Sequence, residues 1–329
     1  MASAEQDNGS ASKLKTNLEG VLSPLGRQVE SFQLLDFRGK EHSLESFQHY
    51  PVLVVAFLGT ECPLVKLYGP RLQAMADELE TKGVGFVGIN ANSQDSVTEM
   101  AAFARRHDIT FPMLKDLGNR VADQMGAVRT PEVFVLDQKR VVRYWGRIDD
   151  QYGVGYVRQA PEQHDLKNAI EELLAGKEVS SPVNTAVGCF IGRVREPDLH
   201  AEVTYSNQIA RIFQKHCVEC HRAGEIAPFE LAQYDEVAGW ANMIEEVVRQ
   251  QRMPPWFASP EHGHFGNDRS MSDEEKQQIY DWVAAGAPEG NPADLPEPQT
   301  YVTGWQLPRE PDFVAPISEE PFKVAAEGT

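Results

Sequence analysis

A chain of 329 residues is long for one domain, and 41% hydrophobic with 24% charged residues marks it as globular rather than disordered. Its 49 Asp+Glu against 31 Lys+Arg give a net charge of −18, which argues against the basic surface that sequence-independent nucleic-acid binding needs. No apolar run has the length of a transmembrane helix, and the opening "MASAEQDNGSASKLKTNLEG" contains no apolar signal-peptide core.

Residues 1–22 read as a disordered polar leader. "ESFQLLDFRG" (30–39) alternates and then turns. "PVLVVAFLG" (51–59) is a continuous apolar run, the pattern of a strand buried on both faces. "YGPRLQAMADELETKG" (68–83) places Leu72, Met75, Ala76 and Leu79 at helical spacing and stops on a glycine. "VGFVGIN" (84–90) predicts a strand, "SVTEMAAFARRHD" (96–108) a helix, "PEVFVLD" (131–137) and "VVRYWGRI" (141–148) two strands, and "HDLKNAIEELLAGK" (164–177) a closing helix. This alternation predicts a three-layer α/β domain. Asp149 and Asp150 read as a turn, and His42, His49, His107 and His164 as surface or helix-end residues.

After a linker (178–185) and "AVGCFIGR" (186–193) the pattern turns helical. Ile209, Ile212 and Phe213 form one stripe, and Val237, Trp240, Ala241, Ile244, Val247 and Val248 a longer one. A third helix opens on the capping box "SDEE" (272–275) and ends at Gly286. Residues 291–329 are proline-rich without helical period and read as an extended tail.

Only four cysteines are present, Cys62, Cys189, Cys217 and Cys220, too few for a disulfide-built scaffold. "FQKHCVECHRAG" (213–224) holds two of them in C-x-x-C-H. Zinc would need a second ligand pair. The plausible one, His262 and His264, lies about forty residues on, with a gap poorly suited to a loop chelate. A c-type haem needs two thiols for thioethers and an adjacent histidine for iron, which Cys217, Cys220 and His221 supply. A sixth ligand is at hand in "QRMPPWF" (251–257), where two prolines force Met253 into an extended loop. Met271 is the rival.

Residues 204–290 resemble a class I cytochrome c, carried by "IFQKHCVECH", "RMPPW" and "MSDEEKQQIYDWVAAGAPEG". The resemblance implies an all-α domain (residues 200–290) with one covalent haem c. Cys217 and Cys220 would attach it, His221 and Met253 would ligate iron, Pro228 would offer a carbonyl to His221, and Trp256 would line the pocket. It also implies attachment outside the cytoplasm, hence a periplasmic or otherwise exported protein.

In the first half, "FLGTECPLVKLYGPRL" (57–72) puts Cys62 after a buried strand and at the mouth of a helix, where a thiolate is stabilised. "VRTPEVFVLD" (128–137) sets Thr130–Pro131 before a strand. Together these resemble the thioredoxin-like redoxin superfamily, closest to a bacterial branch with Cys-x-x-Cys-Pro and a late "GC-x-I" segment, here Gly188, Cys189 and Ile191. The fold class expected is thus an α/β thioredoxin-like domain (residues 23–193) followed by an all-α cytochrome c domain. Where the branch has its first cysteine this chain has Gly59, and Thr60 stands two rather than three residues before Cys62, off the peroxiredoxin spacing. Exchange within one motif is excluded, because no neighbouring thiol resolves a mixed disulfide. Cys189, past the last helix, is the expected disulfide partner of Cys62, in a redox pair or a static bridge, with two unpaired thiols as the alternative. Pro131 would complete the thiol site.

These pieces imply electron transfer between a thiol domain and a monohaem cytochrome, working with redox protein donors and acceptors. The alternatives are a thiol peroxidase or disulfide oxidoreductase served by the cytochrome, and a degenerate redoxin acting only as an interaction module. The tail "TGWQLPREPDFVAPISEEPFKVAAEGT" resembles the approach to a copper-dependent monooxygenase domain, a candidate partner.

Overall fold

The computed structural model describes residues 23–302 and, beyond them, 304–305, 307, 309–318 and 320; the expected leader lies outside the described residues. The first unit begins with β1 (Gln33–Asp36) and β2 (Glu41–Ser43), an antiparallel pair closed by Asp36, whose carboxylate accepts the Arg38 and Lys40 amides at 2.8 and 2.9 Å. His42, expected at the surface, is buried beneath this turn and bonds Asp36 at 3.3 Å.

Next come β3 (Val52–Phe57), α1 (Pro63–Glu80), β4 (Val84–Asn90), α2 (Val97–Arg106), β5 (Met113–Lys115) and α3 (Arg120–Met125). After them lie β6 (Arg129–Thr130), β7 (Glu132–Leu136) and β8 (Val142–Gly146), the small hairpin β9 (Tyr152–Gly153) and β10 (Tyr156–Val157), and α4 (Asp165–Leu174). The strands β11 (Val183–Asn184) and β12 (Cys189–Phe190) close the unit. The main sheet has the order β11-β8-β7-β3-β4-β5-β1-β2, with β3, β4 and β5 parallel and β7 antiparallel to β3.

The two-residue period of a strand divides the core. Val52, Val54 and Ala56 join the cluster holding Val65, Leu72 and Leu79 of α1 and Leu166, Ala169 and Ile170 of α4. Leu53, Val55 and Phe57 join the other cluster, with Val121, Ala122 and Met125 of α3. The three-layer expectation therefore holds. The first long helix, however, starts at Pro63 rather than 68. Proline is tolerated at a helix start because the amide it lacks has no intrahelical acceptor there. Pro70, which reads as a breaker, is carried inside the helix, where tertiary burial of Val65, Tyr68 and Leu72 outweighs the lost hydrogen bond.

The second unit is helical: a π turn (Tyr205–Ile209) running into α5 (Ala210–His216), then α6 (Tyr234–Gly239), α7 (Ala241–Arg249) and α8 (Asp273–Ala284). The single stripe expected across 237–248 is broken at Trp240, whose backbone leaves the helical region (φ −96°, ψ 2°). Gly239 lies against Gln94 of the first unit so closely that a Cβ would meet the Gln94 side chain at 2.6 Å. The start of α5 is tied to the end of α8: Tyr205 and Ser206 amides donate to the Pro288 and Glu289 carbonyls, and the buried Trp282 indole donates to Pro288.

Glu275 locks the other ends of these helices. It accepts from Lys215 Nζ (2.7 Å), His216 Nε2 (3.2 Å) and the Ser272 amide (2.8 Å). Partial burial works against ionisation, but these donors hold its carboxyl at about 2, from an ordinary 4.5. A depressed carboxyl contributes stability above its unfolded value and loses it as pH falls. Glu275→Gln is therefore expected to cost about 1–2 kcal/mol at pH 7, after allowance for solvent screening, and progressively less between pH 4.5 and 2. Denaturant melts at pH 7 and pH 2.5 check this; an equal deficit at both would refute it.

Candidate redox site

Cys62 is the N-cap of α1 and is fully buried. Cys189 comes from β12, whose ladder with β6 sets it opposite Thr130. The Thr130–Pro131 peptide is cis, and the Thr130 carbonyl accepts from Cys62 Sγ at 3.0 Å. Cys62, Cys189 and Pro131 thus meet at Thr130. Both cysteines are free thiols rather than a disulfide, close enough for each to shift the other's ionisation.

This contact polarises the pair. Burial opposes ionisation of Cys62, but the Cys189 thiol and the Val65 and Cys189 amides donate to it and bring it down to about 7. The same hydrogen bond, with burial, pushes Cys189 far above the ordinary thiol value. Of the two thiols Cys62 is therefore the one that ionises first, the property a nucleophilic cysteine needs. Cys189→Ala removes the leading donor and is expected to raise the Cys62 pKa by about one unit or more. A titration of thiolate ultraviolet absorbance reads this directly, and an unchanged midpoint would refute it.

Around the pair lies a polar network that the sequence reading missed. Asp95, 4% exposed, accepts from the Thr60 amide (2.7 Å), Asn90 Nδ2 (2.6 Å) and Asn92 Nδ2 (3.1 Å). Lys115 Nζ donates to Asn90 Oδ1 and to the Asn92 and Asp95 carbonyls. Burial raises the Asp95 carboxyl and lowers the Lys115 amine. Asn92 fills the space before Gly59, where an added Cβ would fall 2.3 Å from Asn92 Nδ2. The only available signal was the polar cluster in "INANSQD" at the end of a buried strand.

Asp149, expected in a plain turn, is 3% exposed and accepts from Tyr68 Oη and Arg71 Nη2, both at 2.5 Å. It anchors α1 to the segment after β8.

In the helical unit, His221 Nδ1 bonds a backbone carbonyl at 3.1 Å, and that carbonyl belongs to Phe229, not Pro228. The Pro228 carbonyl instead faces Lys66 Nζ at 3.5 Å, and Lys66 also pairs with Glu61 at 2.8 Å. Burial lowers the His221 pKa and the Phe229 carbonyl orients the ring through Nδ1, leaving Nε2 as the nitrogen that a metal could use. Cys217 is half-buried and Cys220 exposed. Met253 is 43% exposed and Trp256 half-buried, edge-on to Phe265, whereas Met271 is buried in the core. Among the described residues no three His, Cys, Asp or Glu side chains gather as a metal site, so His262 and His264 do not complete a zinc set with Cys217 and Cys220.

The residues fit a haem. The histidine is oriented through Nδ1, both thiols are unbridged, and the loops following them bare Ile226, Met253, Phe257 and Phe265. Loops seldom expose so much apolar surface without a partner to cover it.

The two units share one apolar cluster running from Leu58, Cys62 and Cys189 to Trp240 and Tyr205. A cleft of about 820 Å³ opens between them, lined among others by Glu61, Gln94, Arg195, Arg222, Phe229 and Trp240. It separates the loop bearing Cys62 from the loop following His221.

Residues 25–145 match the model of the AhpC/TSA family. The first unit is a thioredoxin-like redoxin domain. The chloroplastic peroxiredoxin Q of Populus jackii is 30% identical over 125 residues, 36% of this chain and 57% of that relative. The thiol-disulfide oxidoreductase ResA of Bacillus thuringiensis subsp. konkukian is 25% identical over 114 residues, 35% of this chain and 64% of the relative. This chain thus spans less than two thirds of either. Among solved structures, the hypothetical protein SMc02350 of Sinorhizobium meliloti 1021 aligns with a TM-score of 0.48 and 31% identity, over 52% of this chain and 94% of that one. A secreted disulfide oxidoreductase of Mycobacterium tuberculosis aligns with a TM-score of 0.31 and 21% identity, over 34% and 79%. Among the described residues no helix is long and apolar enough to cross a membrane.

Proposed function

We propose that this is an exported redox protein in which the Cys62–Cys189 pair of the redoxin domain works with a haem c held by the helical unit. The reading is carried by the contact between a lowered and a raised thiol, which replaces the missing C-x-x-C partner. With Cys62 ionised, oxidation joins Cys62 Sγ to Cys189 Sγ, releases the Cys189 proton and yields two electrons. The Thr130 carbonyl holds Cys62 in place, and both cysteines are buried from water.

Cys217 and Cys220 would attach the haem, His221 would be the proximal ligand and Met253 the distal one, with Trp256 beside it. When bound, the group supplies one-electron redox chemistry at a potential suited to His/Met ligation. The Phe229 carbonyl fixes the His221 ring, and the bared apolar loop residues give a dry surround. Export follows from where such haems are attached. Separate redox proteins would serve as donors and acceptors, with a copper monooxygenase one acceptor consistent with the tail.

A second reading, thiol peroxidase, is favoured by one observation. The Thr60 hydroxyl, two residues before Cys62, is buried without a partner. Peroxide turnover in the full chain that vanishes in Cys62→Ser would select it.

The deciding experiment prepares the haem-loaded chain anaerobically with both thiols reduced and the haem oxidised. One disulfide should form, mapped to Cys62 and Cys189, for every two haems whose reduced visible bands appear. Bands that never appear, or a disulfide mapped elsewhere, would overturn the proposal.

A further inference from the structure

Cys189 is gripped from both sides by one side chain. Arg129 stands opposite Phe190 in the β6–β12 ladder and stacks its guanidinium on the Phe190 ring at 4.1 Å. Its Nη1 donates to the carbonyl of Gly188 at 2.8 Å. Gly188 is itself locked in place: at φ +152° an added Cβ would fall 2.1 Å from the Thr130 carbonyl oxygen.

The other end of Arg129 leaves the redoxin domain. Its Nη2 pairs with Glu246 Oε2 of α7 at 2.6 Å, with both side chains 15% exposed or less. Glu246 Oε1 accepts in turn from Arg252 Nη2. The Arg252 and Met253 amides both donate to the Val247 carbonyl, at 2.8 and 3.2 Å, closing the turn that delivers Met253. A chain of contacts thus runs from the Gly188 carbonyl and the Phe190 ring, on either side of Cys189, through Arg129, Glu246 and Arg252 to the turn that holds Met253.

We propose that Arg129, Glu246 and Arg252 are positioning residues that transmit the redox state of the Cys62–Cys189 pair to the Met253 loop. The proposal rests on the reading of those two cysteines as a redox pair. Joining two free thiols that meet at Thr130 by a bond of about 2.05 Å draws them together. Cys62 is fixed by the N-terminus of an 18-residue helix, whereas Cys189 sits on a strand of two residues, so the movement falls on β12. Arg129 holds both neighbours of Cys189 and carries that movement to Glu246. Displacing Arg129 strains its buried pair with Glu246, and a strained pair of this kind breaks rather than stretches. Its loss frees Glu246 and takes from Arg252 the contact that steadies the Val247 turn. The loop proposed to supply the distal ligand is thereby held in one arrangement when the thiols are reduced and released when they are oxidised.

Hydrogen exchange in the full chain tests this, read by mass spectrometry over the segment 250–257 in the reduced form and after oxidation by diamide. This azo oxidant takes both electrons, the Cys189 proton and one proton from solvent, becoming a hydrazine. Exchange in the segment should be about tenfold faster in the oxidised chain. Glu246→Gln should abolish the difference between the two states while the disulfide still forms. Arg252→Gln, which leaves the Arg129–Glu246 pair intact, should do the same and covers the case in which Glu246→Gln fails to fold. A structural role alone would change exchange equally in both states. If the disulfide forms and the segment exchanges alike in both states, or the difference survives both variants, the relay is wrong. If peptide mapping finds no Cys62–Cys189 bond, the redox-pair reading falls and the relay with it.

Discussion

Cys217→Ser combined with Cys220→Ser is expected to leave a chain that retains no haem through denaturation. The same chain with both cysteines, made with an export signal and the haem-attachment machinery, is expected to keep its colour on a denaturing gel. The effect is all or none because only the thioethers survive unfolding; iron ligation does not. The two thiols are well placed for attachment, one exposed and one half-buried, immediately after α5 and with no disulfide between them. His221→Ala separates attachment from ligation: colour persists on the gel, while the native visible spectrum changes. Met253→Ala should remove only the sulfur-to-iron band. A colourless wild-type chain from the same preparation would refute the whole assignment of this unit.

Gly59→Cys, which writes C-x-x-C back into the α1 entrance, is expected to destabilise the chain rather than restore exchange. The new Cβ would fall 2.3 Å from Asn92 Nδ2 and 3.2 Å from Thr130 Oγ1. Asn92 is not a side chain that can swing away. It is 1% exposed, donates to Asp95 at 3.1 Å and accepts the Gly192 amide at 3.0 Å. Overpacking a filled site of this kind costs about 1–3 kcal/mol. Trimming Asn92 to alanine in the same chain removes the overlap but leaves buried groups short of partners, which costs about 1–3 kcal/mol in its place. Both variants should therefore unfold at lower denaturant than wild type. An unshifted midpoint for Gly59→Cys would show that the Asn92 network yields freely, and would reopen a two-cysteine motif.

These two sites differ in how openly the sequence displays them. C-x-x-C-H is local, so its residues could be named before any fold was known. Cys62–Pro63 and Thr130–Pro131 were readable because a buried apolar run and a helix or strand flank each. The strands at 52–57 and 84–90 were equally plain, since burial on both faces leaves an unbroken apolar stretch. What stayed hidden depends on contacts between distant segments. The step at Trp240 exists because Gly239 must admit Gln94 from the other unit. The carbonyl on His221 is Phe229's rather than Pro228's because of how one loop turns, and a one-residue offset leaves no trace in spacing. Asp149 looks like any turn residue until Tyr68 and Arg71 close over it. Asn92 gives no sign of occupying the position of an absent cysteine.

Cys62 and Cys189 lie far apart in the redoxin domain's sequence and meet because the β6–β12 ladder sets Cys189 opposite Thr130, whose carbonyl also takes Cys62. An oxidised pair would therefore cross-link a loop of more than a hundred residues, and closure of so long a loop in the unfolded chain is worth about 4–5 kcal/mol. The thermodynamic cycle makes this reciprocal: whatever tightens the fold draws the pair toward the disulfide, and whatever loosens it makes the pair easier to reduce. Such a chain carries its electron affinity in its tertiary structure. Heat, denaturant and a bound partner would each act on it as a voltage.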